Sequence, residues 1–293
     1  MKSNNNSRTS VTRMLVVNAD DFGYSHQVNQ AVIKAHKDGI LTSTSLMVTG
    51  DAFHEAVKLA RENPGLGVGL HLVIGKGKAA LPQEVIPHLV NRDGEFPDDP
   101  LTVGLRYQFN RSARRELFLE IRAQLQRFRE TGLAMTHVDG HLHNHMHPYV
   151  LQCLVSLSHE FGIHFIRLPN EELTLHWQTG SRTGPGTILI WMVFKLLRIY
   201  AKRLLSNNKI GYCDRVYGLL QTGKMSKAYL CKLLPKIRGK KVEIYAHPSL
   251  PIDKNLQSKS EMDGLLEFKA LTNKAVKKIM KKSNFTAVTF AEL

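Results

Sequence analysis

Met14-Leu15-Val16-Val17-Asn18-Ala19-Asp20-Asp21-Phe22-Gly23 is the stretch on which the fold turns. Its run of β-formers reads as a buried strand, which places Asp20 and Asp21 where that strand leaves the core. Neighbouring strand residues point to opposite sides, so two adjacent carboxylates can divide the work, one binding a cation and one acting as a base. Asp-Asp before Phe-Gly is also an ordinary turn signal, and the histidines downstream weigh between the two readings.

Gly69-Leu70-His71-Leu72-Val73 ends a second short apolar run, and the tract from Thr136 to Pro148 carries five histidines in thirteen positions. On an extended backbone, residues two apart share a face at about 7 Å spacing. That predicts His137, Asp139, His141 and His143 along one side of a strand. Two imidazoles and one carboxylate from three separate strand ends would leave open positions for water and substrate, as a catalytic metal needs.

Elsewhere strand-like runs alternate with helical patterns, as βα units require. Ser25 precedes Val28, Ala31, Val32 and Ala35 at helical spacing, ending near Gly39; Leu41 to Val48 is strand-compatible, and Ala52 to Arg61 reads as a helix closed by Asn63-Pro64-Gly65. Residues 112–131 predict an amphipathic helix burying Leu117, Leu119, Ile121, Leu125 and Phe128. Gly75-Lys76-Gly77-Lys78 lacks the Walker pattern and is expected to be a flexible loop. Lys274 to Lys282 is expected to form a helix with a solvated basic face.

After Gly186 the pattern changes. Thr187 to Phe194 is almost wholly apolar, and Lys195, Arg198, Lys202 and Arg203 punctuate the apolar residues that follow. A bilayer span needs about 20 mostly uncharged residues, and this segment falls short. A helix with a basic face and an apolar face bearing Trp191 and Phe194 suits the interface of an anionic membrane, with Lys202 and Arg203 facing the headgroups. A helix packed on the body of the protein is the competing reading.

At 293 residues the length suits one α/β barrel domain. Lys and Arg number 40 against 25 Asp and Glu, a formal +15, which favours phosphate-bearing or anionic partners. No aromatic-basic pattern marks a nucleic-acid module, so no nucleic acid is expected. Cys153, Cys213 and Cys231 are odd in number and widely spaced, which argues against a disulfide framework and for a reducing compartment. Residues 1–13 are expected to be a disordered lead, and the protein to be cytoplasmic, peripheral to the inner membrane face if the basic apolar segment docks there.

Asn18 to Gly23, Gly69-Leu70-His71, His137-Val138-Asp139-Gly140-His141-Leu142-His143 and Ala246-His247-Pro248 occur in the order and approximate spacing of the YdjC-like carbohydrate deacetylases, which the chain resembles from about Met14 onward. The resemblance implies one domain over 14–293, variable at about 174–241, folded as an irregular (β/α) barrel with its chemistry at the C-terminal strand ends. It implies Asp21, His71 and His141 as ligands of one divalent metal, zinc or magnesium, with Asp20 as base and His247 as the acid that protonates the amine. His137 and Asp139 are expected to support the ligands from behind, His143 to contact substrate or shape the rim, and Arg167 to orient Asp20 or bind the sugar. His145 and His147 carry no assigned role. Pro82 to Val90, Asp93 to Phe96, Asp214 to Leu219 and Thr222 to Met225 resemble the hopanoid-biosynthesis branch, HpnK. This implies an N-acetylglucosamine unit on a hopanoid glycolipid as substrate. A deacetylase of soluble chito-oligosaccharides is one alternative, and a catalytically silent basic protein binding membrane or nucleic acid is another.

Overall fold

A computed structural model describes residues 13–181, 184–252 and 258–293. The expected lead lies outside them except for Arg13, which opens the first strand. The chain runs through β1 (Arg13–Phe22), α1 (His26–Asp38), β2 (Ser43–Leu46), α2 (Phe53–Glu62) and β3 (Gly67–Leu72). An antiparallel pair, β4 (Gly77–Lys78) and β5 (Glu95–Phe96), precedes α3 (Pro100–Phe109), α4 (Arg111–Glu130), β6 (Met135–Gly140), a 3₁₀ segment (His141–Met146) and α5 (Pro148–Phe161). Then come α6 (Leu173–Gln178), α7 (Pro185–Asn207), β7 (Arg215–Tyr217), α8 (Lys227–Leu233), β8 (Lys241–Ala246), α9 (Lys259–Leu271), α10 (Lys274–Lys282), β9 (Phe285–Ala287) and a final 3₁₀ turn (Phe290–Glu292).

Local chemistry sets many of these boundaries. Ser25 accepts from the Val28 N–H at the start of α1, Asp99 caps α3 just before Pro100, and Asn110 caps α4. Each satisfies an amide that the first turn leaves without a partner. Leu117, Ile121, Leu125 and Phe128 of α4 are buried as their spacing predicts, whereas Leu119 is 46% exposed because it falls outside that stripe. Gly77 and Lys78 are not a flexible loop; they pair with Glu95 and Phe96, and Lys78 Nζ lies 2.6 Å from Asp51.

The main sheet is parallel in the order β6-β3-β2-β1-β8-β7, with β9 beside the first residues of β1 on the β2 side. The gap between β6 and β7 is bridged by an irregular segment: Ile166 pairs with Val138, Phe165 with Gly211, and Asn170 with Val216. The result is an irregular (β/α) barrel. The stretch 174–241, expected as a variable insertion, contributes β7 to the sheet.

Strand alternation divides β1 between two environments. Leu15, Val17 and Ala19 pack in the large core beneath the helices, while Val16 points inward with Phe165, Cys213, Val216, Tyr245, Val288 and Phe290. Phe290 plugs the bottom of the barrel and stacks on His137 with ring centroids 3.8 Å apart. Above this floor the inward positions turn polar, from Asn18 and Glu243 to Asp20 and His71, so the barrel carries its buried charge toward the C-terminal strand ends.

Candidate metal centre and active site

β1 does not end as regular alternation predicts. The register slips between Ala19 and Phe22, and Asp21 takes a left-handed backbone with φ 65°. Asp and Asn tolerate this conformation better than other side-chain-bearing residues. Its effect is to bring Asp20 and Asp21 to one cavity instead of opposite faces of the sheet.

At Asp21 three elements converge. His71 Nε2, at the end of β3, lies 3.1 Å from Asp21 Oδ1, and His141 Nδ1, just past β6, lies 3.0 Å from the same oxygen. The three residues offer one ligand atom each, all within 4.8 Å of one another. His71 Nδ1 donates to Asp139 Oδ1 at 2.8 Å, which fixes the ring so that Nε2 faces the centre. That nitrogen is buried and makes no hydrogen bond. A buried nitrogen without a hydrogen bond, aimed at a carboxylate and a second imidazole, is the donor set a divalent cation would complete. Burial pulls the His71 pKa down, but the charge and hydrogen bond of Asp139 and the nearby Asp21 carboxylate outweigh it and carry it up to about 10. Burial works to raise Asp21, and the hydrogen bond from His141 together with the His71 imidazole 3.1 Å away holds it well below the usual carboxylate range. A cation there would displace a proton, so its affinity depends on pH.

Asp20, His71 and Asp139 form a second cluster of suitable composition, yet its carboxylates already have a cation. Arg167 is 0% exposed. Its Nη1 and Nη2 donate to the two oxygens of Asp20 at 2.6 and 2.7 Å, Nη2 lies 2.8 Å from Asp139 Oδ2, and Nε donates to Glu243 Oε1 at 2.7 Å. Its guanidinium also lies 4.4 Å from the Tyr245 ring centroid. Burial raises Glu243 to about 7, while Arg167 and His71 overcome burial to keep Asp139 low. Arg167 is thus fully buried and grips both oxygens of Asp20, the geometry expected of a group that orients this carboxylate rather than one that meets a sugar.

Asp20 also accepts from Asn18 Nδ2 at 2.8 Å, and its Oδ2 lies 3.8 Å from His247 Nε2. His247 follows β8; its own N–H donates to Glu267 at 2.6 Å, and Nδ1 lies 3.8 Å from that carboxylate. The residues expected as base and acid thus face one another beside the three convergent ligand atoms.

The histidine tract departs from a straight strand. β6 stops at Gly140, and Leu142 and His143 are left-handed at φ 54° and 56°. His137 and Asp139 keep the inward alternation, but His141 and His143 are placed by the 3₁₀ segment. Asp139 supports His71 directly. His137 lies below, its Nε2 3.9 Å from Asp139, and burial drives its pKa down to about 3. Gly69 makes room for that ring, since a Cβ there would come within 2.3 Å of it. His143 shares a 2.7 Å hydrogen bond with the Tyr245 hydroxyl and lines a cavity. His145 bonds the Arg167 carbonyl at 3.0 Å, and His147 caps α5.

α7 forms as expected, but its exposed apolar stripe is not the one carrying Trp191 and Phe194. The Trp191 indole donates to the Glu171 carbonyl at 2.8 Å, and Phe194 packs edge-on against His143. Leu189, Ile190, Met192, Val193, Leu196 and Ile199 face outward instead, alongside the exposed Lys202 and Arg203. Among the described residues, no helix is long and apolar enough to cross a membrane.

Glu243, Tyr245 and Glu267 escaped assignment from the sequence. Glu243 left a signal, a lone charge inside the apolar run Val242 to Ala246; Glu267 left none, because it sits on an ordinary charged helix.

The profile of the YdjC-like protein family matches residues 14–282. A carbohydrate deacetylase of Brevibacillus brevis is 41% identical over 151 residues, covering 51% of this chain and 57% of that protein. A chitooligosaccharide deacetylase of Escherichia fergusonii is 38% identical over 152 residues, covering 52% and 58%. The matched stretch thus spans little more than half the length of these relatives. A crystal structure from Enterococcus faecalis V583, provisionally described as a cellobiose-phosphate cleavage protein, superposes with a TM-score of 0.73 at 27% identity, covering 96% of this chain and 98% of that one.

Proposed function

The chain belongs to the YdjC-like protein family, and from this membership and the geometry of the site we propose that it is a metal-dependent carbohydrate N-deacetylase. The observation that carries the reading is the meeting of Asp21, His71 and His141 beside Asp20 and His247. A catalytically silent binding protein has no use for that arrangement. The finer reading is an N-acetylglucosamine unit on a hopanoid glycolipid, handled by a cytoplasmic protein whose α7 touches an anionic membrane. Deacetylation of soluble chito-oligosaccharides is the second reading, supported by the named activity of the Escherichia relative.

Hydrolysis of the acetamide needs an attacking water, charge stabilisation at the carbonyl oxygen, and a proton for the departing amine. Asp21, His71 and His141 would hold a divalent ion, zinc by its mixed nitrogen and oxygen donors or else magnesium, which when bound makes water more acidic and polarises the acetyl carbonyl. Asp20, locked by Arg167, accepts the proton of the attacking water as the C–O bond forms. His247 gives a proton to the sugar nitrogen as the C–N bond breaks, leaving acetate and a free amine. Asp20 Oδ2 and His247 Nε2, 3.8 Å apart, are close enough for both to reach one tetrahedral centre.

Acetate release from N-acetylglucosamine glycosides, with and without added zinc or magnesium, tests the proposal. Asp20→Asn should retain metal and fold while losing about 10²-fold or more of turnover, whereas His71→Ala should lose metal and turnover together. No acetate from any glycoside in the presence of either metal would refute the reading.

A further inference from the structure

Two cavities, of about 620 and 680 Å³, meet at the catalytic residues. Asp20, His141, Leu142, Thr222 and His247 line both. They differ in character. The first has a mixed wall, in which Ser25, Gln27, Lys76, Lys259 and Asp263 stand beside Tyr24, Leu250 and Ile252. The second runs between two helices, with Leu101, Val103 and Tyr107 of α3 on one side and Leu189, Val193 and Phe194 of α7 on the other.

We propose that the site is divided, the more polar cavity taking the sugar and the α3–α7 cavity taking the hydrocarbon body of a glycolipid substrate. This rests on the deacetylase reading for its inner end. Both volumes fall in the range of about 300–1,000 Å³ typical of small-ligand sites. The apolar cavity opens directly onto the residues that would cleave the acetamide, so its occupant must be continuous with the substrate or displaced by it. Its outer lip is apolar too. On α3, Leu101, Leu105 and Phe109 stand four residues apart on one ridge, Phe109 at 77% exposure, and on α7 Leu196 is 69% exposed. Exposed apolar side chains on both helices that wall a cavity suit a binding region. Exposed Arg111 and Arg115 beyond α3, with Lys195, Lys202 and Arg203 on α7, border it with positive charge, which suits a substrate drawn from an anionic lipid surface. Leu142 stands at the junction, held by its left-handed backbone between the two cavities.

The test is a series of alkyl β-N-acetylglucosaminides, methyl through octyl, each below its micelle concentration, with Kd measured by calorimetry and acetate release measured separately. Transfer of each methylene into an apolar wall should tighten binding about threefold to fourfold. Leu101→Asp and Val193→Asp, on opposite walls and at exposed positions, should flatten that dependence while melting temperatures stay near wild type. A Kd independent of chain length in the wild type would overturn the proposal, as would an unchanged slope in both variants. Chain-dependent binding without acetate release would refute the deacetylase reading but leave the apolar half-site standing. Failure of every glycoside to bind would overturn both.

Discussion

Arg167→Met removes the guanidinium that Asp20, Asp139 and Glu243 share, at contacts of 2.6 to 2.8 Å and complete burial. Taking one partner from a buried pair costs about 3–5 kcal/mol, because the other is left charged and unsolvated. Three carboxylates are stranded here, so a loss of about 4 kcal/mol or more is expected, against a typical total of about 5–15 kcal/mol. Arg167→Lys keeps the charge but not the planar fork, and should cost less, about 2 kcal/mol. If Arg167 acts only through Asp20, the lysine variant should lower kcat, by part of the about 10²–10⁴ that a positioned base supplies, and leave KM nearly unchanged. Urea unfolding followed by circular dichroism reads the first quantity and steady-state kinetics the second. Adding Glu243→Gln to Arg167→Met should recover about 1 kcal/mol, since one stranded carboxylate is gone. A methionine variant within about 1 kcal/mol of wild type, the range of an exposed ion pair, would refute the reasoning.

Asp139→Asn should weaken metal affinity about 10- to 100-fold, because the carboxylate that orients His71 is lost; unchanged metal content after dialysis against a weak chelator would count against that role. Burial lowers His145 to about 4, so between that value and the ordinary 6.5 the unfolded chain binds a proton that the folded protein refuses. Its contribution to stability is fully present above about pH 6.5 and is lost as the pH falls toward 4; His145→Gln should therefore lose about 2 kcal/mol less than wild type between about pH 7.5 and 5, read from urea midpoints. At the surface, replacing Leu196 and Ile199 by Ser should reduce binding to anionic vesicles at all salt concentrations. Reversing Lys202 and Arg203 should matter mainly at low salt, and absence of vesicle binding at low salt would remove the membrane reading.

The grouping of Asp21, His71 and His141 as donors was implied by the family resemblance alone; the alternation of strands and helices and the strand-end positions of Asp20, His71 and His247 were legible in the sequence itself. These features depend on local periodicity, which two to four neighbouring residues express. What only the tertiary structure decided is what meets across the barrel. Asp20 and Arg167 are 147 positions apart, and their contact exists because an irregular segment closes the sheet between β6 and β7. The left-handed Asp21 overrode the alternation that would have parted it from Asp20, and the 3₁₀ segment removed His141 and His143 from the line of β6. The same limit governed α7. Its composition showed a basic face and an apolar face bearing Trp191 and Phe194 and could not tell which apolar residues stay exposed, because Trp191 and Phe194 turn inward to partners, the Glu171 carbonyl and His143, supplied by other elements. A side chain's neighbours along the chain follow from backbone geometry, whereas its neighbours across the fold follow from closure and packing of the whole.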